Sequence, residues 1–359
     1  MEPLHIVYNI SLIPMKRIFL TLCVCLSVSI AVAGEKFNLG SYTFEIISQS
    51  TVELDRVDQS VSSMYLSPTV TYHGVSYNVT QIGDGAFAGC SSLTTLTIPE
   101  GVDIIGDFTF MGCTKLASIT LPASLNSIGD LTFMGCTSLK SITFPMGVNS
   151  IGSSAFRGCS SLNSISLPIS ITEIGDRAFE GCSWLYSLTL PNSITEIDFM
   201  TFKGCSWLHN ITIPNTVTKI GQGAFSGCRN LQDFNIPETV RSIGCHAFEG
   251  CSVYNDGYNW TDGALYINNC LIAVDKNLVG DYTIKPGTRL IAGGAFEGCS
   301  SLTSVTVANS VTVIGESVFS GCSKLTEIIY VGTKEQWKNI DLDKYWSQDS
   351  KIKVVRCTR

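Results

Sequence analysis

The chain has 359 residues, a formal charge of −7 and only 15% charged residues, with 32 Gly and 15 Cys. A length of this order ordinarily divides into two globular domains, and the acidic balance excludes a basic footprint for nucleic acid. After residue 33 no apolar run reaches the ~18 residues of a membrane span, so none is expected in the mature chain.

The first segment carries a targeting pattern. Met15-Lys16-Arg17 precedes the apolar run Ile18 to Ala33, which ends in Ala31-Val32-Ala33 before Gly34. Residues 1–33 read as a secretory leader cleaved near Ala33, with Met15 as the natural start. An uncleaved anchor is the competing reading, disfavoured because the run is short of the ~20 residues a span needs. Cys23 and Cys25 lack the preceding small residue that a lipoprotein site wants.

Residues 34–81 show no period but alternate strongly: Val70, Tyr72, Val75, Tyr77 and Val79 flank a break at His73-Gly74. The pattern predicts a hairpin. Placed before a stack of turns, it would cover an end that otherwise exposes apolar surface and unpaired strand edges, so 34–81 is expected to be an N-terminal cap.

From Ile82 to residue 329 one phrase returns every 23 residues, and its Gly-Cys pair ends at Cys90, Cys113, Cys136, Cys159, Cys182, Cys205, Cys228 and Cys251, then at Cys299 and Cys322. A fixed period of this size means a stacked array, in which length counts turns instead of separate cores. Within a turn, Leu116, Ile119 and Leu121 before Pro122 predict a short strand with the last two side chains inward. Proline lacks the N–H a ladder needs and closes the strand. A second apolar stretch ends in Gly at positions 106, 129, 152, 175, 221, 244 and 315, where a backbone angle reserved for Gly is expected; Asp198 takes that slot in one turn.

In Ala-Phe-x-Gly-Cys the Phe and Cys are three apart and share one face of a single helical turn. The ten Phe from Phe87 to Phe319 are expected to form a continuous inner spine. Between Cys251 and Cys299 the period breaks, and about 252–287 reads as an insert with a hairpin at Asp262–Ile267 and Leu271–Asp275. Residues 330–359, with Trp337 and Ile340 at helical spacing, read as a C-terminal cap.

The phrase Ile174-Gly-Asp-Arg-Ala-Phe-Glu-Gly-Cys-Ser-Trp-Leu-Tyr-Ser-Leu-Thr-Leu-Pro191 resembles the BspA-like leucine-rich repeats of bacterial surface proteins over residues 82–251 and 291–329. The resemblance implies a right-handed solenoid of short strands and single helical turns, capped at both ends. It also implies an exported, secreted or cell-surface protein that adheres to host or cell-surface macromolecules, with no shared catalytic residue. The strand is not followed by the Asn of the common leucine-rich pattern (Gly101, for example), which implies a flatter, more strand-rich solenoid.

Cysteine in an exported protein suggests disulfides, yet ten occupy one inward slot of identical turns and read as buried free thiols. Cys245, Cys270 and Cys357 lie off this row, and their redox state is open. No metal-ligand spacing is present outside the leader, and no catalytic, cofactor or phosphate-binding motif; after residue 33 the only His are His73, His209 and His246. No enzyme and no cofactor is expected. The outward slots that change are informative: Trp184, Tyr186, Trp207 and His209 fall on adjacent turns and are expected to cluster, either as the contact for a protein or glycan ligand or as cover for the sheet edge or packing against a loop. A purely structural role in a surface assembly is the remaining alternative.

Overall fold

The computed structural model describes residues 32–232, 234–348 and 350–358; the expected leader lies outside them except for residues 32 and 33. The repeats form a β-solenoid of three sides. On one side lie three-residue parallel strands in strict register, such as Ser141–Thr143 on Ser164–Ser166 and Ser187–Thr189 on Asn210–Thr212. Each buries only its middle side chain, as Ile142, Ile165, Leu188 and Ile211 do, because successive residues of a strand face opposite ways. On the second side, two-residue strands repeat at the same interval: Ser127–Ile128, Ser150–Ile151 and Glu173–Ile174, then Glu196–Ile197, Lys219–Ile220 and Ser242–Ile243.

The third side takes the form of hydrogen-bonded turns, not a helix. Two residues per turn have left-handed backbone, for example Ser154 (φ 56°) and Gly158 (φ 73°). The resulting zigzag lets alternate N–H groups bond within the turn and to the next one: Ala155, Arg157 and Cys159 donate to Gly152, Ser154 and Phe156, while Ser154, Phe156 and Gly158 donate to Asp176, Ala178 and Glu180 at 2.7–2.8 Å. In this turn each N–H from Gly152 to Cys159 has a partner, as a dry solenoid wall requires.

The glycines that end the second strand do not have the expected left-handed angle, and neither does Asp198. They are small for another reason. A Cβ on Gly152 would lie 2.6 Å from the carbonyl carbon of Gly129, and one on Gly175 2.7 Å from the amide nitrogen of Ser153. At these glycines the preceding turn comes too close for a Cβ unless the backbone shifts, whereas Asp198 carries a side chain in the same slot.

Before the repeats lies a five-stranded sheet in the order Lys36–Leu39, Tyr42–Ile46, Thr51–Val57, Val75–Ile82, Thr69–Tyr72. The hairpin about His73 and Gly74 is one arm of it, and Gln81–Ile82 pairs with Ile104–Ile105 of the first full turn. After the repeats, Val354–Cys357 pairs with Glu327–Tyr330, and a short helix Lys334–Lys338, closed by a Thr333/Gln336 capping box, sets Trp337 against Tyr330 and Trp346.

The inner spine is not continuous. It stacks from Phe87 to Phe248 with ring centroids 5.0–5.6 Å apart, then starts again at Phe296 and Phe319. In a regular turn the Phe N–H reaches the next turn, as Phe225 reaches Ala247 at 2.8 Å. Beyond Phe248 the carbonyl of Ala295 instead accepts from Val274, in the inserted strand Cys270–Val274. That strand pairs antiparallel with Ala264–Ile267 and parallel with Leu290–Ile291, so it wedges between two turns, and the core divides into two clusters. The first side resumes at Gly280–Thr283, which pairs with the strand Leu302–Val307.

Arg289 and His246 bridge this seam. The Arg289 guanidinium donates to the carbonyls of Val240 (2.5 Å) and Pro237 (2.9 Å) and faces Glu238 at 3.1 Å. In regular turns the corresponding carbonyl accepts a hydroxyl, as Val217 accepts from Thr239. His246 lies between Glu249 and Glu297, at 3.3 and 3.0 Å, beside a cavity of about 40 Å³.

Candidate functional site

Most of what repeats is absorbed by the scaffold. Each ladder cysteine is buried, and wherever a regular turn precedes it the thiol donates to the carbonyl of the Phe 26 residues earlier, as Cys113 does to Phe87 (3.2 Å) and Cys159 to Phe133 (3.1 Å); Cys90 and Cys299, which start the two stacks, face the carbonyls of Asp58 and Asp275 instead. Burial disfavours the thiolate and pushes Cys113, Cys159 and Cys205 up to about 12. All thirteen described cysteines are free; Cys270 is buried and pushed up to about 11, and Cys245 and Cys357 are half-buried. A side-chain ladder is built from aspartate: Asp84 accepts the N–H of Asp107 (2.8 Å), Asp107 that of Asp130 (2.7 Å), and Asp130 that of Ser153 (2.6 Å). Among the described residues no cluster of three or more His, Cys, Asp or Glu is placed to hold a metal ion, and no helix is long and apolar enough to cross a membrane.

The variable slots behave differently. Trp184 and Tyr186 precede the strand Ser187–Thr189, and Trp207 and His209 precede Asn210–Thr212. Between each pair a fully buried leucine, Leu185 or Leu208, anchors the segment, so its two neighbours must face outward. Register then places like slots over one another: His209 N–H donates to the Tyr186 carbonyl at 2.8 Å, and Trp207 N–H to Ser183 at 3.0 Å. The indoles of Trp184 and Trp207 stack with centroids 5.5 Å apart and planes 5° from parallel. Tyr186 and His209 stack at 5.7 Å and 14°. All four side chains are thus brought together as two parallel stacks, with Trp184, Tyr186 and Trp207 57, 52 and 50% exposed. They do not lie under a loop.

The surroundings are polar and small. Thr143, Ser166, Thr189 and Thr212 form an exposed row on the same strands. Toward the insert, Gln232, in the slot of Tyr186 and His209, donates to Ser252 at 3.2 Å, so the inserted segment borders the row. Two exposed apolar residues were not anticipated: Met146 (69%) and Ile169 (80%), each directly after a strand-ending proline. The slot reads Glu100, Ala123, Met146, Ile169, Asn192, and a comparison of this position across turns would have found them.

Fold and surface together define a leucine-rich-repeat solenoid with one differentiated face. The family described as the BspA type leucine rich repeat region matches residues 62–182, 126–255 and 276–351, and the chain belongs to it. Among solved structures, a leucine-rich repeat protein from Bacteroides ovatus is 28% identical, with 89% of this chain and 76% of that one covered and a TM-score of 0.62. The leucine rich repeat protein of T. pallidum is 30% identical over 55% of this chain and 92% of its own, at a TM-score of 0.50. No curated protein matches the chain.

Proposed function

We propose that the protein is an exported, non-catalytic binding protein that contacts macromolecules at a host or neighbouring cell surface through its strand-lined face. Export rests on the leader pattern of residues 15–33, and adhesion on what the family resemblance implies. The observation that carries the site is the exposure of the Trp184–Trp207 stack, with Tyr186 on His209 beside it, while the Phe87 to Phe248 spine of the same turns is buried. Large amphipathic rings cost little entropy to order and supply much contact area, so they dominate binding interfaces. The test is binding of the secreted chain to a panel of matrix proteins, glycans and whole cells, repeated with Trp184→Ala/Trp207→Ala. Loss of a partner with an unchanged melting curve supports the assignment; binding that survives the double substitution overturns it.

A further inference from the structure

We infer that the aromatic face takes a neutral glycan, with a sugar ring seated against the open outer face of each stack. This rests on the reading of the quartet as the binding surface and names the ligand class. Trp184 and Trp207 are parallel and in register, so their inner faces cover each other and their outer faces look along the array. The next slot before Trp184 and Tyr186 holds Ser161 and Asn163; the next after Trp207 and His209 holds Asn230 and Gln232. Turns are spaced by about 4.8 Å. At each end of the stacks, therefore, an aromatic wall stands over a shelf of small polar groups, with room for roughly one more ring.

A pyranose fits such a shelf chemically. Its C–H face is apolar and stacks on an aromatic ring, while its equatorial hydroxyls need donors and acceptors at the rim. The Ser161 hydroxyl and the Asn163 carboxamide supply them at one shelf and Asn230 at the other, with Ser164, Ser166, Ser187 and Thr189 alongside. Asn163 is exposed and Ser161 half-buried, so both present polar groups to solvent. Charge points the same way: in these slots and strands from Ser161 to Thr212 there is no carboxylate, and besides the Tyr186 phenol only His209 can ionise. An acidic polymer would find little to neutralise it. A protein hot spot is typically sealed from water by a well-packed surround, whereas these rings are rimmed by hydroxyls and amides.

The test titrates the full chain with a soluble glucan and a soluble mannan, with polygalacturonate as the acidic control and a matrix-protein panel alongside, followed by tryptophan fluorescence. The expected result is saturable binding to a neutral polysaccharide that added salt does not weaken. Ser161→Trp, which fills one shelf with a ring that the same slot already accepts in the next two turns, should weaken it about tenfold, and Trp184→Ala by at least as much. Circular dichroism checks that both variants fold. Glycan binding that Ser161→Trp leaves intact, or the absence of binding to any neutral polysaccharide, overturns the inference. If a matrix protein instead binds in a Trp184-dependent way, the glycan assignment falls and the binding surface stands; if neither class responds to Trp184→Ala, both fall.

Discussion

Phe179 and Phe202 stack inside the solenoid at 5.6 Å with planes 1° apart; five residues further along the same turns, Trp184 and Trp207 stack outside it at 5.5 Å and 5°. The geometry is nearly the same because both pairs inherit it from the 23-residue register of the backbone. Exposure is what differs: the Phe rings are fully buried and the Trp rings about half exposed. A stack in this fold is thus a consequence of repetition and by itself says nothing about function. An inner stack is the core, and an outer one is surface that the core does not need.

The largest effect is expected inside. Phe202→Ala removes a ring packed between Phe179 and Phe225 and should cost about 3–5 kcal/mol in denaturant unfolding. A loss below about 1 kcal/mol would mean that the array closes over the gap, and would break the comparison. Next comes the seam, where the spine is interrupted and polar contacts stand in for it. Arg289→Met leaves two carbonyls and Glu238 without their donor, and a loss of about 2–3 kcal/mol is expected in the same measurement.

A third test uses pH. The folded state holds the thiols of Cys113, Cys159 and Cys205 protonated up to about 12, against 9.0 for a free thiol. Between these values the unfolded chain binds fewer protons than the native one, so stability is fully present below about pH 9 and falls as pH rises toward 12. Melting temperature should drop steeply above pH 9, and Cys205→Ala should flatten the slope; a melting temperature flat through that range would contradict the buried-thiol ladder. The smallest effect on stability is expected outside. Trp207→Ala should stay within about 0.5 kcal/mol of the parent chain while ligand binding falls about tenfold, which separates the two stacks by measurement.

Much of this was legible before the structure. The period, the strand and its closing proline, the inward Phe and Cys, and the outward Trp184, Tyr186, Trp207 and His209 all follow from which residues recur and which vary. The local pattern misled where a neighbour decides. Gly152 and Gly175 suggested a special backbone angle, but the cause is the preceding turn, too close for a Cβ. The left-handed positions hold Phe108, Leu131, Ser154, Arg177 and Met200, residues with no shared chemistry to mark them.

The sequence alone therefore determined that this protein is a stack of equivalent turns and which side chains each turn turns in or out, because both are set by spacing within one repeat. Only the tertiary structure decided that the spine stops at Phe248, that Val274 takes the carbonyl of Ala295, that Arg289 reaches back to Pro237 and Val240, and that the outer rings lie face to face. Each of these depends on the distance between residues far apart in the chain, up to 52 positions, which is a property of how the turns settle on one another and is written in no single turn.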